Sequence, residues 1–362
     1  MKKVAIITLY DELNIGNKLQ NYAVQTFFSE MGYDVKTILH WEMYSFSFRQ
    51  ILEQICRVIG FPRRRSHILR MKKLRRNKFV AFTKKYLKLG ETVNIKHIPE
   101  SFKEKYDYFV TGSDQVWHNW TDTAEEVDFY MLSFAEQKQR VAFAPSFGKS
   151  NITSFKEKYI EGLKGFRELS CREETGADLI SELSGKKAEV LLDPTMLIDR
   201  KHWEDLEKQP NWLTGNYLLV YSLGDRSAKI NELIESISKL EKLKIVDLLN
   251  IDLKDQFVSG PDEFVYLVHH AKCVITDSFH ACVFSVLFHT DFIVFDRDTS
   301  DTAKMTSRID TLLGKFNLQD RKFNNSSFDN RHNADFGIVE CVIEREKQRA
   351  KQFIEKAISG NG

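Results

Sequence analysis

VITDSFHACVFSVLF, residues 274–288, reads as a buried strand that breaks at Asp277-Ser278 and enters an apolar helix with His280 in its first turn. Strand, break and helix recur along nearly the whole chain, and that alternation implies parallel sheets with covering helices, an α/β protein. Around this stretch one block takes shape. Its other strands are expected at Tyr217–Ser222, Lys244–Leu248 and Phe292–Phe295, with helices near 227–242, 261–271, 279–288 and 303–314. A second block lies upstream. It starts with a strand from Lys3 to Leu9, a loop around Asn14 and Gly16, and a helix from about Asn17 to Met31. Its further strands are expected at Val35–Leu39, Tyr106–Thr111, Arg140–Ala144, Glu168–Cys171 and Glu189–Leu192. PNWLTG (210–215) is the expected linker, which gives domains at 1–210 and 211–335 and a closing helix within 336–362 that packs back on the first block.

The length supports this division, since 362 residues suffice for about two domains with a core each. With 42% hydrophobic residues the chain lies in the globular range, far from disorder. No stretch reaches the roughly 18 apolar residues of a membrane span. The opening MKKVAIITLY meets Asp11 and Glu12 before a signal segment could form. Five scattered cysteines, without a C-x-x-C pair or zinc-type histidine spacing, read as reduced thiols of a cytoplasmic protein.

The net charge of +2 hides an asymmetry: residues 57–88 hold 13 Lys and Arg and no acid, which leaves the other 330 at −11. Ile68, Met71, Leu74, Phe79, Phe82 and Leu87 fall roughly on one face of a helix there. Such a segment is either a solvated face covering part of the core or a docking element for an anionic membrane surface or a phosphate-bearing acceptor. Nucleic acid is disfavoured, because no docking motif is present and the rest of the chain is acidic.

In open parallel sheets ligands bind beyond the carboxyl ends of the strands, and polar clusters stand at those places. His280 follows a strand and opens a helix, where Ser278 suits the N-cap and leaves backbone N–H groups to face an anion. The alternative is a core histidine bonded to a carbonyl. Arg172 in SCREETGADLI offers a planar fork for carboxylate or phosphate, or else an ion pair with Glu173, Glu174 or Asp178. Asp114 in VTGSDQVWHNW suits a general base or a sugar-hydroxyl contact, or a plain loop cap, and Trp117 suits stacking on a sugar. Arg308 in KMTSRIDTLL suits a second phosphate clamp, or a surface pair with Asp310. The nucleotide-binding, hydrolase and zinc motifs G-x-x-x-x-G-K-[ST], G-x-G-x-x-G, G-x-S-x-G and H-E-x-x-H are absent. No acidic cluster is dedicated to a metal, so none is expected of necessity.

Seven strings in order, NIGNKLQNYAVQ (14–25), VTGSDQVW (110–117), APSFG (144–148), SCREETGADLI (170–180), LLDPTML (191–197), ITDSFHACVFS (275–285) and MTSRIDTLL (305–313), resemble the polysaccharide pyruvyl transferase family. The resemblance implies two Rossmann-like domains facing across a cleft, as in B-type glycosyltransferases, with a C-terminal helix. It implies transfer of pyruvate from phosphoenolpyruvate onto two hydroxyls of a hexose in a surface-glycan precursor as a cyclic ketal, without a redox cofactor. It implies that His280 and Arg172 hold the donor; the ketal chemistry itself suits His280 as general acid and Asp114 as base, and Ser278, Phe279 and Arg308 are expected beside the donor. Asn17, Gln20, Asn21, Trp117 and Ser146 fall to the acceptor, which capsule chemistry would present on a polyprenyl diphosphate at the inner membrane face. Many members carry T-D-S-R-L-H; here Ser278-Phe279 stand for the Arg-Leu pair, so Arg308 is the natural substitute. A nucleotide-sugar glycosyltransferase and a non-catalytic glycan-binding relative are the alternatives.

Overall fold

A computed structural model describes residues 1–40, 62–296, 302–323 and 334–359, and the side chains of all these except 62–66 and 302–306. The chain forms two compact units, one of Met1–Arg65, Thr83–Ile198 and Glu344–Gly362, the other of Ser66–Phe82 and Asp199–Ile343.

In the first unit β1 (Lys3–Ile7), β2 (Asp34–His40), β3 (Leu89–Val93), β4 (Tyr108–Thr111) and β5 (Arg140–Ala142) make a parallel sheet of order β3-β2-β1-β4-β5. A parallel pair, β6 (Leu169–Cys171) and β7 (Ala188–Val190), stands beside it in sequence. Val4 to Ile7 are fully buried, because β1 is the central strand of the sheet. The helix α1 (Ile15–Glu30) starts on an Asn14 cap whose side chain accepts from the Asn17 N–H at 3.1 Å.

In the second unit β8 (Tyr217–Tyr221), β9 (Lys244–Asp247), β10 (Cys273–Thr276) and β11 (Phe292–Val294) make a parallel sheet of order β11-β10-β8-β9. The strand order reverses between β1 and β4 in the first sheet and between β8 and β10 in the second, and those two reversals are where open α/β sheets bind ligands.

Three expectations change. The edge strand β3, LGETV, was not anticipated: half exposed, it lacks the apolar run that marks the others. The unit boundary falls at Asp199, ahead of PNWLTG, because the helix Arg200–Leu206 packs Trp203 edge-on against Phe284 of the second unit at 4.9 Å. The basic run also parts from the first domain. Residues 57–61 lie outside the described ones, and α2 (Pro62–Tyr86) lends its middle, 66–82, to the second unit. Met71, Phe79 and Phe82 are buried, and Arg75 lies between the Phe79 and Phe257 rings while it donates to the Phe257 carbonyl at 2.6 Å. Lys78 pairs with Glu263 at 2.7 Å. The helix therefore covers a core with Met71, Phe79 and Phe82, while Ile68 and Leu74 are half-buried and Leu69 is 45% exposed. The closing helix, Val339–Ser359, pairs Lys356 with Glu168 at 2.9 Å within the first unit. Among the described residues no helix is long and apolar enough to cross a membrane.

Candidate functional site

At the β1/β4 reversal the chain after β4 is shaped by backbone demands. Gly112 has φ 109°, and a Cβ there would stand 2.3 Å from the Phe143 carbonyl oxygen, so only glycine fits. Asp114 takes the left-handed conformation, φ 71°, which few side chains adopt. Its carboxylate accepts from the Gln115 N–H at 2.9 Å and from Asn17 Nδ2 at 3.4 Å, and faces Arg172 Nη2 at 3.4 Å. The other guanidinium arm donates to Asp193 in a short bond. Burial alone would make Arg172 easier to deprotonate, but Asp193 and Asp114 outweigh it and hold the charge. Three donors thus converge on one carboxylate and fix its orientation.

This geometry revises several assignments. Arg172 is 3% exposed and its guanidinium meets the Asp193 and Asp114 carboxylates, 21 and 58 residues away, with Glu173 adding a lesser attraction. Glu173 accepts from Ser146 Oγ at 2.9 Å and the Phe147 N–H at 3.0 Å, and Ser146 is wholly buried, out of reach of an acceptor. Trp117 is 1% exposed, packs on Phe147 and donates to the Tyr130 carbonyl, so no sugar can stack on it. Gln20 donates to Thr8 at 2.8 Å and Asn21 accepts from Thr37 at 2.6 Å; both are buried and tie α1 to the sheet.

Of the acceptor set, Asn17 alone lines a pocket of about 350 Å³ in this unit. Trp120 lines it too and is 46% exposed; its indole N–H is held by the Gln115 carbonyl at 3.0 Å and its ring lies 4.1 Å from that of His118. A fixed, exposed indole beside Asp11, Asn14 and Glu126 has the make-up of a sugar site, an apolar face with hydroxyl partners around it. VWHNW contains two tryptophans, and residue type alone does not say which one faces outward. Burial pushes the Glu126 carboxyl up, opposed by hydrogen bonds from the Thr121 side chain and backbone. His40, also on the lining, is lowered by burial to about 4 and stays neutral.

One buried amine went unnoticed in the sequence. Lys18, in the first turn of α1, is 1% exposed; its Nζ has no hydrogen-bond partner among the described residues and lies 3.2 Å from the centroid of the Tyr10 ring, itself part of the pocket lining.

At the β8/β10 reversal, Asp277 accepts from the Leu223 and Gly224 N–H groups at 2.7 and 2.8 Å and fixes the loop after β8 to the end of β10. The helix α3 (Phe279–Phe288) begins there on Ser278, whose backbone is extended but whose side chain makes no capping bond; its N–H donates to Thr276 Oγ1 at 3.0 Å. His280 is 9% exposed and lies edge-on to Phe279 at 5.5 Å. Arg308, from the helix Thr302–Lys315, places its guanidinium 5.7 Å from the Phe279 ring centroid and is 6% exposed, while Asp310 pairs with Lys322 at 2.9 Å. Ser278, Phe279, His280 and Arg308 are thus brought together in one unit.

Residues 14–299 match the model of the family described as polysaccharide pyruvyl transferase. The chain belongs to that family. A search of curated proteins finds no match. Among solved structures, UDP-GlcNAc 2-epimerase from Neisseria meningitidis bound to UDP-GlcNAc is similar at 11% identity with TM-score 0.50, covering 100% of both chains. UDP-GlcNAc 2-epimerase from Methanocaldococcus jannaschii is similar at 13% identity and TM-score 0.46, over 99% of this chain and 93% of that one. MurG of Acinetobacter baumannii is similar at 9% identity and TM-score 0.43, over 99% and 95%. At such identities the first of these speaks for the fold only, two Rossmann-like units of the glycosyltransferase-B class.

Among the described residues, Glu207, His269 and His270 of the second unit bring metal-capable atoms within 4.8 Å of one another. Arg200 Nη2 lies 3.2 Å from His269 Nε2, and a guanidinium only donates, so Nε2 accepts and the proton sits on Nδ1, which donates to Glu207 at 2.8 Å. That tautomer suits a hydrogen-bonded tie between two helices and leaves no lone pair for a metal.

Proposed function

We propose that this family member transfers pyruvate from phosphoenolpyruvate onto two hydroxyls of a hexose, forming a cyclic ketal on a glycan precursor. Family membership over residues 14–299 carries the reading, and the cluster of His280, Phe279 and Arg308 supports it. The chemistry needs a proton delivered to the methylene carbon of the donor, which leaves positive charge at C2. One sugar hydroxyl attacks C2, phosphate departs with its C–O bond pair, and the second hydroxyl closes the ketal; the two hydroxyl protons balance the proton added and the charge on phosphate. His280 supplies the first proton near neutral pH, and Arg308 neutralises the donor anion. Glu126, on the pocket lining with its carboxyl raised by burial, takes a hydroxyl proton. Trp120 holds the sugar face.

The acceptor's carrier belongs to the same proposal: a polyprenyl diphosphate at a lipid surface would meet the exposed basic face of α2, with Arg70, Lys73 and Arg76, by charge alone. The deciding experiment incubates the protein with hexose glycosides and either phosphoenolpyruvate or nucleotide sugars. Phosphate release, together with an acceptor heavier by pyruvate less water and lost in His280→Ala, is expected. Nucleotide release in its place would overturn the reading in favour of a glycosyltransferase.

A further inference from the structure

A second pocket, about 540 Å³, opens in the second unit and includes none of Phe279, His280 and Arg308 in its lining. It sits beyond the carboxyl ends of the neighbouring parallel strands β8 and β9, where the loop after β8 and the residues after β9 come together. Its charged groups are Asp225, Arg226 and Asp247, and Arg226 Nη1 holds Asp247 Oδ2 at 2.8 Å. Two carboxylates against one guanidinium leave the pocket net negative, which rejects phosphate and carboxylate ligands. The one cation is already paired with Asp247, so the pocket is not built as a seat for a second cation either.

What remains is hydrogen-bonding capacity of both signs. Among the described residues Asp247 Oδ1 has no other partner, and neither does the side-chain amide of Asn231. Asn250 spends its carbonyl oxygen on the Asp252 N–H at 3.1 Å and keeps its amide N–H groups. Ser222 donates to the Gly224 carbonyl at 2.8 Å and keeps its acceptor lone pairs. Carboxylate and amide groups fixed by an Arg pair and by backbone bonds match vicinal hydroxyls, each of which both donates and accepts. Leu249 adds an apolar contact for ring C–H groups.

We infer that this pocket is a subsite for a neutral hexose unit, one that engages a further sugar of the glycan; the choice of a glycan rests on the reading proposed above.

The test uses the full chain in a Trp120→Ala background, which removes stacking in the first pocket, and follows saturation-transfer NMR with lactose and methyl β-galactoside. Inorganic phosphate, uridine and magnesium are the rival probes. Saturable binding of the neutral sugars is expected, weakened at least tenfold by the pair Asp247→Ala with Arg226→Met, which leaves no unpaired charge, and about threefold by Asn231→Ala at an exposed helix position. Binding unchanged in both variants, or absent from the Trp120→Ala protein, overturns the subsite. Displacement of sugar by phosphate, uridine or magnesium overturns the ligand class. Phosphate release from phosphoenolpyruvate by the unaltered protein is read separately, so the subsite can fail while the proposed reaction stands, and the reverse.

Discussion

Replacing Lys18 by Met should make the protein more stable, and by an amount that depends on pH. Burial lowers this amine from its ordinary 10.5 to about 7, against the pull of Asp11 and Glu12. Each tenfold change in proton affinity is worth about 1.4 kcal/mol, so keeping the ammonium protonated in the folded chain costs roughly 4–5 kcal/mol. The contact with the Tyr10 face returns about 1 kcal/mol, which leaves roughly 3–4 kcal/mol for a side chain of similar length with no charge. The sign follows from the depressed value of a basic group. Below about 7 both folded and unfolded Lys18 hold the proton and the penalty is complete; between about 7 and 10.5 only the unfolded chain holds it, and the penalty fades as pH rises. Urea unfolding of both proteins at about pH 6.5, 8 and 9.5 should show Lys18→Met ahead by roughly 3–4 kcal/mol at the lowest pH and the gap closing at the highest. A variant that is less stable at pH 6.5, or a gap that does not change with pH, would refute the argument, because either result means the amine is solvated or paired in the folded protein.

The two tryptophans of VWHNW should behave oppositely: Trp120→Ala should raise the acceptor KM with little loss of stability, while Trp117→Ala should cost about 3–5 kcal/mol of unfolding free energy. Steady-state kinetics and denaturation of the same preparations separate them, and equal effects would remove the pocket assignment. Arg172→Met leaves Asp193 and Asp114 buried without their cation and should destabilise by roughly 3–5 kcal/mol; near-normal stability with weakened donor binding alone would return Arg172 to the donor. Because burial raises Glu126, kcat/KM should climb with pH through a midpoint above an ordinary glutamate's, and Glu126→Gln should lose that limb while Asp114→Asn keeps it. With Met71, Phe79 and Phe82 buried, any attachment to anionic vesicles should be electrostatic and should vanish in sedimentation at about 0.5 M salt; attachment that survives salt would mean apolar insertion.

Much of the architecture could be read along the chain because it depends on near neighbours. VITDSFHACVFSVLF becomes strand Cys273–Thr276 and helix Phe279–Phe288 since an apolar run, a polar break and a second apolar run specify both elements without outside help. The clusters after strands were legible for the same reason, and Asp114, Asn17 and His280 stand at the reversals of strand order where parallel sheets place ligands. The tertiary structure decided what each side chain meets. Arg172 finds its partners 21 and 58 residues away, beyond any local period. Trp117 and Trp120 differ in exposure, with a left-handed Asn119 (φ 60°) turning the chain between them, and a shift of three residues there exchanges core for surface. The basic run packs its middle into the second unit through Arg75 and Phe257, a contact that composition and helical spacing predict only as a face in search of a partner. Amphipathic pattern is a property of consecutive residues, and the identity of the covered surface is a property of the folded whole.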